Sequence, residues 1–252
     1  IGLLRSEFLY MNRKTLPTED QQYAIFRDMV EAMEGLPVTR RSLDVGADRP
    51  ADAITSAFGT PESTALGLRG IRLALIESDI LETQFRAMLR AASHGPVRIL
   101  LPMVSNTSEV MKARELLQKA ATRLKRRKIA VPDPLPPLGM MIEVPGAALA
   151  ADALARDSDF FAIGSNDLTM YTLATDRANE HVAHLFDPLH PAVLRLIQFA
   201  TSAALRARIP ISICGEMAGE PRYAALLVGL GLRELSMSPA SIPRVKQRIR
   251  EM

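Results

Sequence analysis

Tryptophan is absent from this 252-residue sequence, cysteine occurs once, and aromatic residues make up only 5%. A single cysteine excludes an intrachain disulfide framework and is typical of a reducing compartment, so we expect a cytoplasmic protein. No apolar run is long enough to cross a bilayer and no stretch has the pattern of a signal peptide, so we expect no membrane insertion. The net charge of +3 is too small to indicate nucleic acid as a partner.

The abundant residue types favour helices packed on a sheet. Hydrophobic residues make up 48% and methionine occurs 12 times, which is typical of an α/β protein rather than an all-β sandwich. The length fits one large barrel better than two small domains, so we predict a single domain over residues 1–252. Because the sequence begins at Ile1 and enters apolar sequence at once, we expect a fragment of a longer multidomain protein.

Short apolar runs alternate with helical patterns, which predicts a parallel sheet covered by helices. We predict strands at residues 1–4, 38–43, 97–104, 138–144, 160–163, 211–214 and 235–237, and helices that include residues 109–121, 147–156, 192–207 and 221–228. Pro191 predicts the start of one helix and Gly229 the end of another. A (β/α)₈ barrel of the TIM type has eight strands, so we expect the first strand to be missing from this chain. A doubly wound sheet is the alternative, but the glycine-rich phosphate turn it would have is absent from the sequence.

Three other segments and the histidines have simpler interpretations. Residues 48–65 are a long polar stretch, which predicts a functional loop, and the proline-rich residues 131–137 predict a stiff surface link. The basic run at residues 123–128 is interpreted as the solvated end of a helix. His94, His181, His184 and His190 follow no metal-ligand spacing, and we expect surface or structural roles for them.

Charged and polar residues recur where the predicted strands end, which is where a parallel barrel carries its reactive side chains. The candidates are Arg5, Arg41, Asp44, Arg69, Arg72, Glu143, Asn166, Asp167, Arg177, Cys214 and Glu216. Guanidinium groups bind phosphate and carboxylate oxygens through paired hydrogen bonds. Two carboxylates from different strands suit Mg²⁺, which leaves positions for substrate oxygens, and a thiol can donate a proton. The pattern predicts a site for an anionic ligand and a hard cation.

Each candidate also has an ordinary structural interpretation. A single arginine is more often part of a surface ion pair than a ligand contact. Glu143 is also consistent with a helix cap, and Asn166-Asp167 with a turn or a cap. Cys214 is also consistent with a small buried hydrophobic residue. The grouping of all these residues at strand ends is what favours a site.

Eight motifs in one order resemble a known family. They are GLLRSEF at residues 2–8, RSLDVGAD at 41–48, GLRGIR at 67–72, GMMIEVP at 139–145, IGSNDLTMYTL at 163–173, Asp176-Arg177, CGEMAG at 214–219 and LSMSPASIP at 235–243. Together they resemble the barrel of Enzyme I of the bacterial sugar phosphotransferase system, the phosphoenolpyruvate–protein phosphotransferase, which binds phosphoenolpyruvate (PEP). The resemblance covers nearly the whole chain.

The resemblance implies a role for each matching residue. Arg5 and Arg41 match arginines that hold the phosphoryl group of PEP, while Arg69 and Arg177 match further substrate arginines, Arg177 near the PEP carboxylate. Glu143 and Asp167 match the Mg²⁺ ligands, and Asn166 matches a residue against the phosphate. Cys214 matches the residue that protonates the enolate of pyruvate.

The family's reaction has partners that this chain lacks. The resemblance implies transfer of the phosphoryl group to a histidine of a separate N-terminal domain, then to an HPr-type phosphocarrier protein, in a homodimer. No histidine here has the context of that acceptor. The PEP-binding domain of a pyruvate phosphate dikinase or PEP synthase is the second interpretation, because these enzymes share the Arg, Glu, Asn-Asp and Cys positions. A non-catalytic dimerisation or regulatory module is the third.

The sequence departs from the family at a few positions. Ala47 and Arg49 stand where the family usually has glycine and lysine, Ser63-Thr64 replace Asn-Pro, and Met170 stands where glutamine is common. These changes concern the shape of the site's loop rather than the ligand set. They are consistent with a nitrogen-related or a fused multi-domain paralogue.

Overall fold

The computed structural model describes residues 1–45, 53–54, 65–177 and 179–252. Contacts divide the chain into two compact units. The N-terminal unit comprises Ile1, Leu3–Met103 and Ser108–Leu138, and the C-terminal unit comprises Gly2, Val104–Thr107 and Gly139–Met252. The single domain over residues 1–252 stays a prediction. Of the predicted loop at residues 48–65, the structure describes only Ala53, Ile54 and Ala65. The departures from the family at Ala47, Arg49 and Ser63-Thr64 also lie outside the described residues.

Two parallel strands, β1 (Val38–Arg41) and β2 (Val97–Leu101), are paired in the described part of the N-terminal unit. Both end earlier than predicted. Before β1, Leu4 forms an isolated parallel bridge with Arg40. The predicted strand at residues 1–4 is therefore reduced to one bridge, because the chain enters the 3₁₀ helix Glu7–Leu9 soon after Leu4.

The described helices of this unit are α1 (Glu19–Glu31), α2 (Ile71–Ile76), α3 (Ser78–Ala91) and α4 (Thr107–Arg126). Thr18 and Gln21 start α1 with a capping box, in which the Thr18 hydroxyl accepts from the Gln21 N–H at 3.3 Å and the Gln21 side chain accepts from the Thr18 N–H at 3.1 Å. Phe26 and Val30, four residues apart, are buried on one face of α1, which packs against α3.

A buried carboxylate joins α3 to α4. Glu82 is 1% exposed and pairs with Arg86 at 2.9 Å, Lys119 at 3.0 Å and Arg123 at 2.6 Å. Glu19 of α1 similarly accepts hydrogen bonds from Arg86, Arg90 and Arg127. Burial alone would raise the pKa of Glu19, but the hydrogen bonds from these three arginines together lower it. The basic run at 123–128 is thus more than a solvated helix end, because two of its arginines bind these carboxylates.

Four parallel strands are neighbours in sequence order in the described C-terminal unit: β3 (Leu138–Ile142), β4 (Phe161–Gly164), β5 (Ile211–Cys214) and β6 (Glu234–Leu235). Every residue of β3 and β4 is buried, as expected for strands covered on both faces. Ile142 lies opposite Ile163, and Gly164 opposite Cys214. The carboxyl ends of β3, β4 and β5 therefore meet at one edge of this sheet.

The described helices of this unit are α5 (Pro145–Leu149), α6 (Ala151–Leu154), α7 (Ser165–Leu173), α8 (Pro191–Ala207), α9 (Ala224–Gly229) and α10 (Ile242–Arg250). Pro191 begins α8 as predicted, and His190 caps it by accepting from the Ala192 N–H at 3.2 Å. The predicted helix at 147–156 is instead two short helices that break at Ala150. Gly229 marks the end of α9, as predicted, and is its last helical residue, while Gly231, at φ +101°, adopts the left-handed conformation just beyond it.

The proline-rich link at residues 131–137 contains neither helix nor strand, as predicted. Among the described residues, no helix combines the length and the apolar character needed to cross a membrane. The alternation of strands and helices predicted from the sequence is confirmed.

Candidate functional site

A buried aspartate joins two of the predicted substrate arginines in the N-terminal unit. Arg41, the last residue of β1, pairs through Nη1 with Asp44 Oδ2 at 3.0 Å. Arg69 donates from Nη2 to Asp44 Oδ1 at 3.2 Å and Oδ2 at 3.1 Å. Asp44 and Arg69 are 0% exposed and Arg41 is 3% exposed. We call Arg41, Asp44 and Arg69 the arginine cluster.

Glu7 extends the arginine cluster, although only its place in the GLLRSEF motif pointed to it in the sequence. Its Oε1 accepts from Arg41 Nη2 at 3.0 Å and from the Asp44 N–H at 3.0 Å. The negative charges of Glu7 and Asp44 therefore balance the positive charges of Arg41 and Arg69. Arg5, by contrast, is exposed, and its guanidinium forms no hydrogen bond or ion pair within the described part of the chain.

Arg40 precedes Arg41 in β1, and the two side chains lie on opposite faces of the strand. Arg40 is 1% exposed, lies 4.1 Å above the Phe26 ring and donates to the Phe26 carbonyl. Burial lowers the pKa of Arg40 to about 9. Arg40 contacts α1, so its role is separate from that of Arg41.

The predicted metal ligands lie in the C-terminal unit. Glu143 directly follows β3 and is 0% exposed, and Asp167 is 6% exposed in the first turn of α7. A Cβ at Gly164 would lie 2.7 Å from Glu143 Oε2 and 2.9 Å from Glu143 Cβ. The glycine therefore makes the space that the Glu143 carboxylate occupies. Among the described residues, no group of three or more His, Cys, Asp or Glu side chains comes together as a metal site.

The end of β5 is bonded to the start of α7. Ser165 Oγ donates to the Cys214 carbonyl at 2.7 Å, and Asn166 Oδ1 accepts from the Glu216 N–H at 3.2 Å. Cys214 is buried, and its thiol donates to the Ile163 carbonyl at 3.4 Å. These bonds bring three predicted residues of the C-terminal unit, Asn166, Asp167 and Cys214, to the same sheet edge as Glu143.

Arg177 follows α7 in a turn and forms an ion pair with Glu216. The side chain of Arg177 is 41% exposed and that of Glu216 is 76% exposed. The sequence predicted Glu216 at the end of a strand and Arg177 in the loop after Asn166-Asp167, without indicating that the two pair. Arg72 instead donates to the carbonyls of Leu66 and Gly67, which is a structural role.

The whole chain is similar to known proteins. The sequence pattern described as "PEP-utilising enzyme, PEP-binding domain" matches residues 1–252. Over 250 residues the chain is 52% identical to the phosphoenolpyruvate-protein phosphotransferase of Cupriavidus necator, covering 99% of this chain and 42% of that protein. It is 43% identical over 251 residues to the multiphosphoryl transfer protein of Xanthomonas campestris pv. campestris, covering 99% of this chain and 29% of that protein. The chain thus spans less than half the length of these relatives.

A solved structure of Haloferax volcanii malate synthase, a ternary complex with pyruvate and acetyl-CoA, shares the fold. The TM-score is 0.57 at 13% identity, covering 92% of this chain and 56% of that chain. This likeness to a TIM-barrel-like protein confirms the predicted α/β barrel fold. The sequence matches confirm the resemblance found in the motifs. Because the family pattern covers residues 1–252, the chain belongs to the PEP-utilising enzymes, as their PEP-binding domain.

Proposed function

We propose that this chain is the PEP-binding domain of a phosphoenolpyruvate–protein phosphotransferase. It binds PEP with Mg²⁺ and gives the phosphoryl group to a histidine of a separate N-terminal domain, which passes it to an HPr-type phosphocarrier protein. Pyruvate is the other product, and the protein works as a homodimer. The observation that carries this proposal is the match of the whole chain to the PEP-binding domain.

The arginine cluster supports binding of the phosphoryl group. Asp44 already orients the guanidinium groups of Arg41 and Arg69, so these side chains lose little conformational entropy when an anion binds. Arg5 adds an exposed guanidinium, and a fork of donors suits phosphate oxygens. Asn166 accepts a hydrogen bond through Oδ1, which leaves its NH₂ group to donate to a ligand oxygen.

The donor set of Glu143 and Asp167 fits Mg²⁺. Both side chains are hard carboxylates, and both lie beside the ends of adjacent strands, β3 and β4. A Mg²⁺ ion held by these two carboxylates would supply positive charge to offset the negative charge of a phosphoryl group.

Cys214 is the proposed proton donor. When the phosphoryl group leaves PEP, the enolate of pyruvate remains. The thiol proton, held toward the Ile163 carbonyl, passes to the enolate carbon and forms the new C–H bond of pyruvate. The thiolate then regains a proton from solvent.

Isothermal titration of the chain with PEP tests the proposal, with and without Mg²⁺. We expect Mg²⁺-dependent binding that is lost in Arg41→Ala and in Asp167→Ala. Arg206→Ala is the matched control, because Arg206 forms an exposed ion pair with Asp152 away from the site residues, and it should bind PEP like the parent. Unchanged binding in both site variants would overturn the assignment.

Two alternatives have their own tests. A pyruvate phosphate dikinase or PEP synthase would have a nucleotide-binding domain elsewhere in the full-length protein, whereas the named relatives favour a phosphotransferase. A purely structural dimerisation module would gain no thermal stability from PEP or pyruvate, whereas a binding domain would.

A further inference from the structure

Glu216 is held in place by groups other than its ion-pair partner. Its N–H donates to Asn166 Oδ1 at 3.2 Å, and it begins the 3₁₀ helix Glu216–Gly219. Gly215 before it has φ +96°, and a Cβ there would lie 3.0 Å from Asn166 Oδ1 and would also strike Ser165 Oγ. The backbone at the end of β5 thus fixes the position of Glu216 against the start of α7.

The ion pair that Glu216 forms with Arg177 is open to solvent at both ends. Exposed ion pairs are weak, because water solvates both charges and two long side chains must be held in one geometry. A carboxylate on a ligand that reaches Arg177 can therefore replace the carboxylate of Glu216 at small cost. An uncharged ligand or a ligand anchored elsewhere gains nothing from this exchange.

We propose that Glu216 is a positioning residue that holds Arg177 in the ligand-free protein and releases it to the carboxylate of the substrate. The inference rests on the proposed function, in which Arg177 binds the PEP carboxylate. Glu216 then competes with every carboxylate ligand, while ligands that carry only a phosphate do not meet this competition. The residue therefore sets how strongly the carboxylate end of the substrate contributes to binding.

Glu216→Gln tests the proposal, since glutamine keeps the size and the backbone hydrogen bond of Glu216 but lacks its charge. In isothermal titrations with Mg²⁺ present, we expect pyruvate and PEP to bind about two- to fivefold more tightly to Glu216→Gln than to the parent. Inorganic phosphate should bind both proteins equally. Glu216→Asp, which restores the charge, should return the dissociation constant for pyruvate toward that of the parent.

A double-mutant cycle with Arg177→Ala tests whether the effect of Glu216→Gln on pyruvate binding acts through Arg177. In the Arg177→Ala background, Glu216→Gln should change pyruvate binding by less than about 1.5-fold, because the competition requires the guanidinium group. Weaker pyruvate binding in Glu216→Gln, or an equal change for phosphate and pyruvate, would overturn the proposal. If the parent bound PEP but Glu216→Gln did not lower the dissociation constants for pyruvate and PEP, only the proposed role of Glu216 would be contradicted. If the parent bound neither PEP nor pyruvate, both the proposed function and the proposed role of Glu216 would be contradicted.

Discussion

Arg40 is a buried cation in β1, and within the described residues its Nε and Nη1 atoms have no hydrogen-bond partner. Removing a charge from water without pairing it is costly. We therefore expect Arg40→Met, which fills similar volume without the charge, to raise the free energy of unfolding by about 2 kcal/mol. Urea denaturation measures the change. Arg206→Met, at an exposed position, should change stability by less than about 0.5 kcal/mol.

The gain from Arg40→Met should depend on pH. Burial holds the pKa of Arg40 at about 9 in the folded protein, well below its ordinary value. Above pH 9 the folded protein releases this proton while the unfolded chain keeps it, so the unfolded state binds more protons and the cost of burial falls as pH rises. The stability difference between Arg40→Met and the parent should therefore shrink from pH 8 to pH 10.5. A difference that stays constant over this range would contradict a charged, desolvated Arg40.

Gly164 is a second residue whose replacement has a defined result. A Cβ at this position would lie 2.7 Å from Glu143 Oε2, so Gly164→Ala must displace the carboxylate. We expect Mg²⁺ affinity, measured by calorimetry in the presence of PEP, to fall by about tenfold or more. Gly229→Ala is the matched control, because nothing lies within 4 Å of a Cβ there. Equal Mg²⁺ affinity in both variants would argue against Glu143 as a ligand.

At the scale of whole elements, Glu82 connects α3 to α4 through Lys119 and Arg123. Because the carboxylate is almost fully buried, Glu82→Gln leaves several cations without their counter-charge. We expect a loss of about 3 kcal/mol in the free energy of unfolding, measured by chemical denaturation. Asp152→Asn removes an exposed ion pair with Arg206 and should cost less than about 1 kcal/mol. Similar losses in the two variants would mean that burial of Glu82 does not determine its contribution.

The elements themselves were largely predictable from periodicity. Strands β3 to β5 and helix α8 follow the expected segments, because apolar runs and an opening proline act locally. The break at Ala150 and the single bridge at Leu4 have no counterpart in the hydrophobic periodicity of the sequence.

At the scale of the whole molecule, strand ends predicted the position of site residues but not their partners. Arg41 and Glu143 could be predicted because each directly follows or ends a buried strand. The pairing of Asp44 with Arg69 could not, since the two residues are 25 positions apart. The space that Gly164 gives Glu143 follows from the register of β3 and β4, which a single sequence does not specify.

The contact between Asp44 and Arg69 also closes a loop in the chain. The positions that depart from the family at Ala47, Arg49, Ser63 and Thr64 all fall between these two residues in the sequence. The entropy of closing a loop grows slowly, by about 0.6 kcal/mol for each doubling of its length. A change in the number of residues between Asp44 and Arg69 therefore adds little to the entropy cost of closing this loop. The contacts that Asp44 makes with Arg41 and Arg69 are in this way compatible with intervening segments of different length.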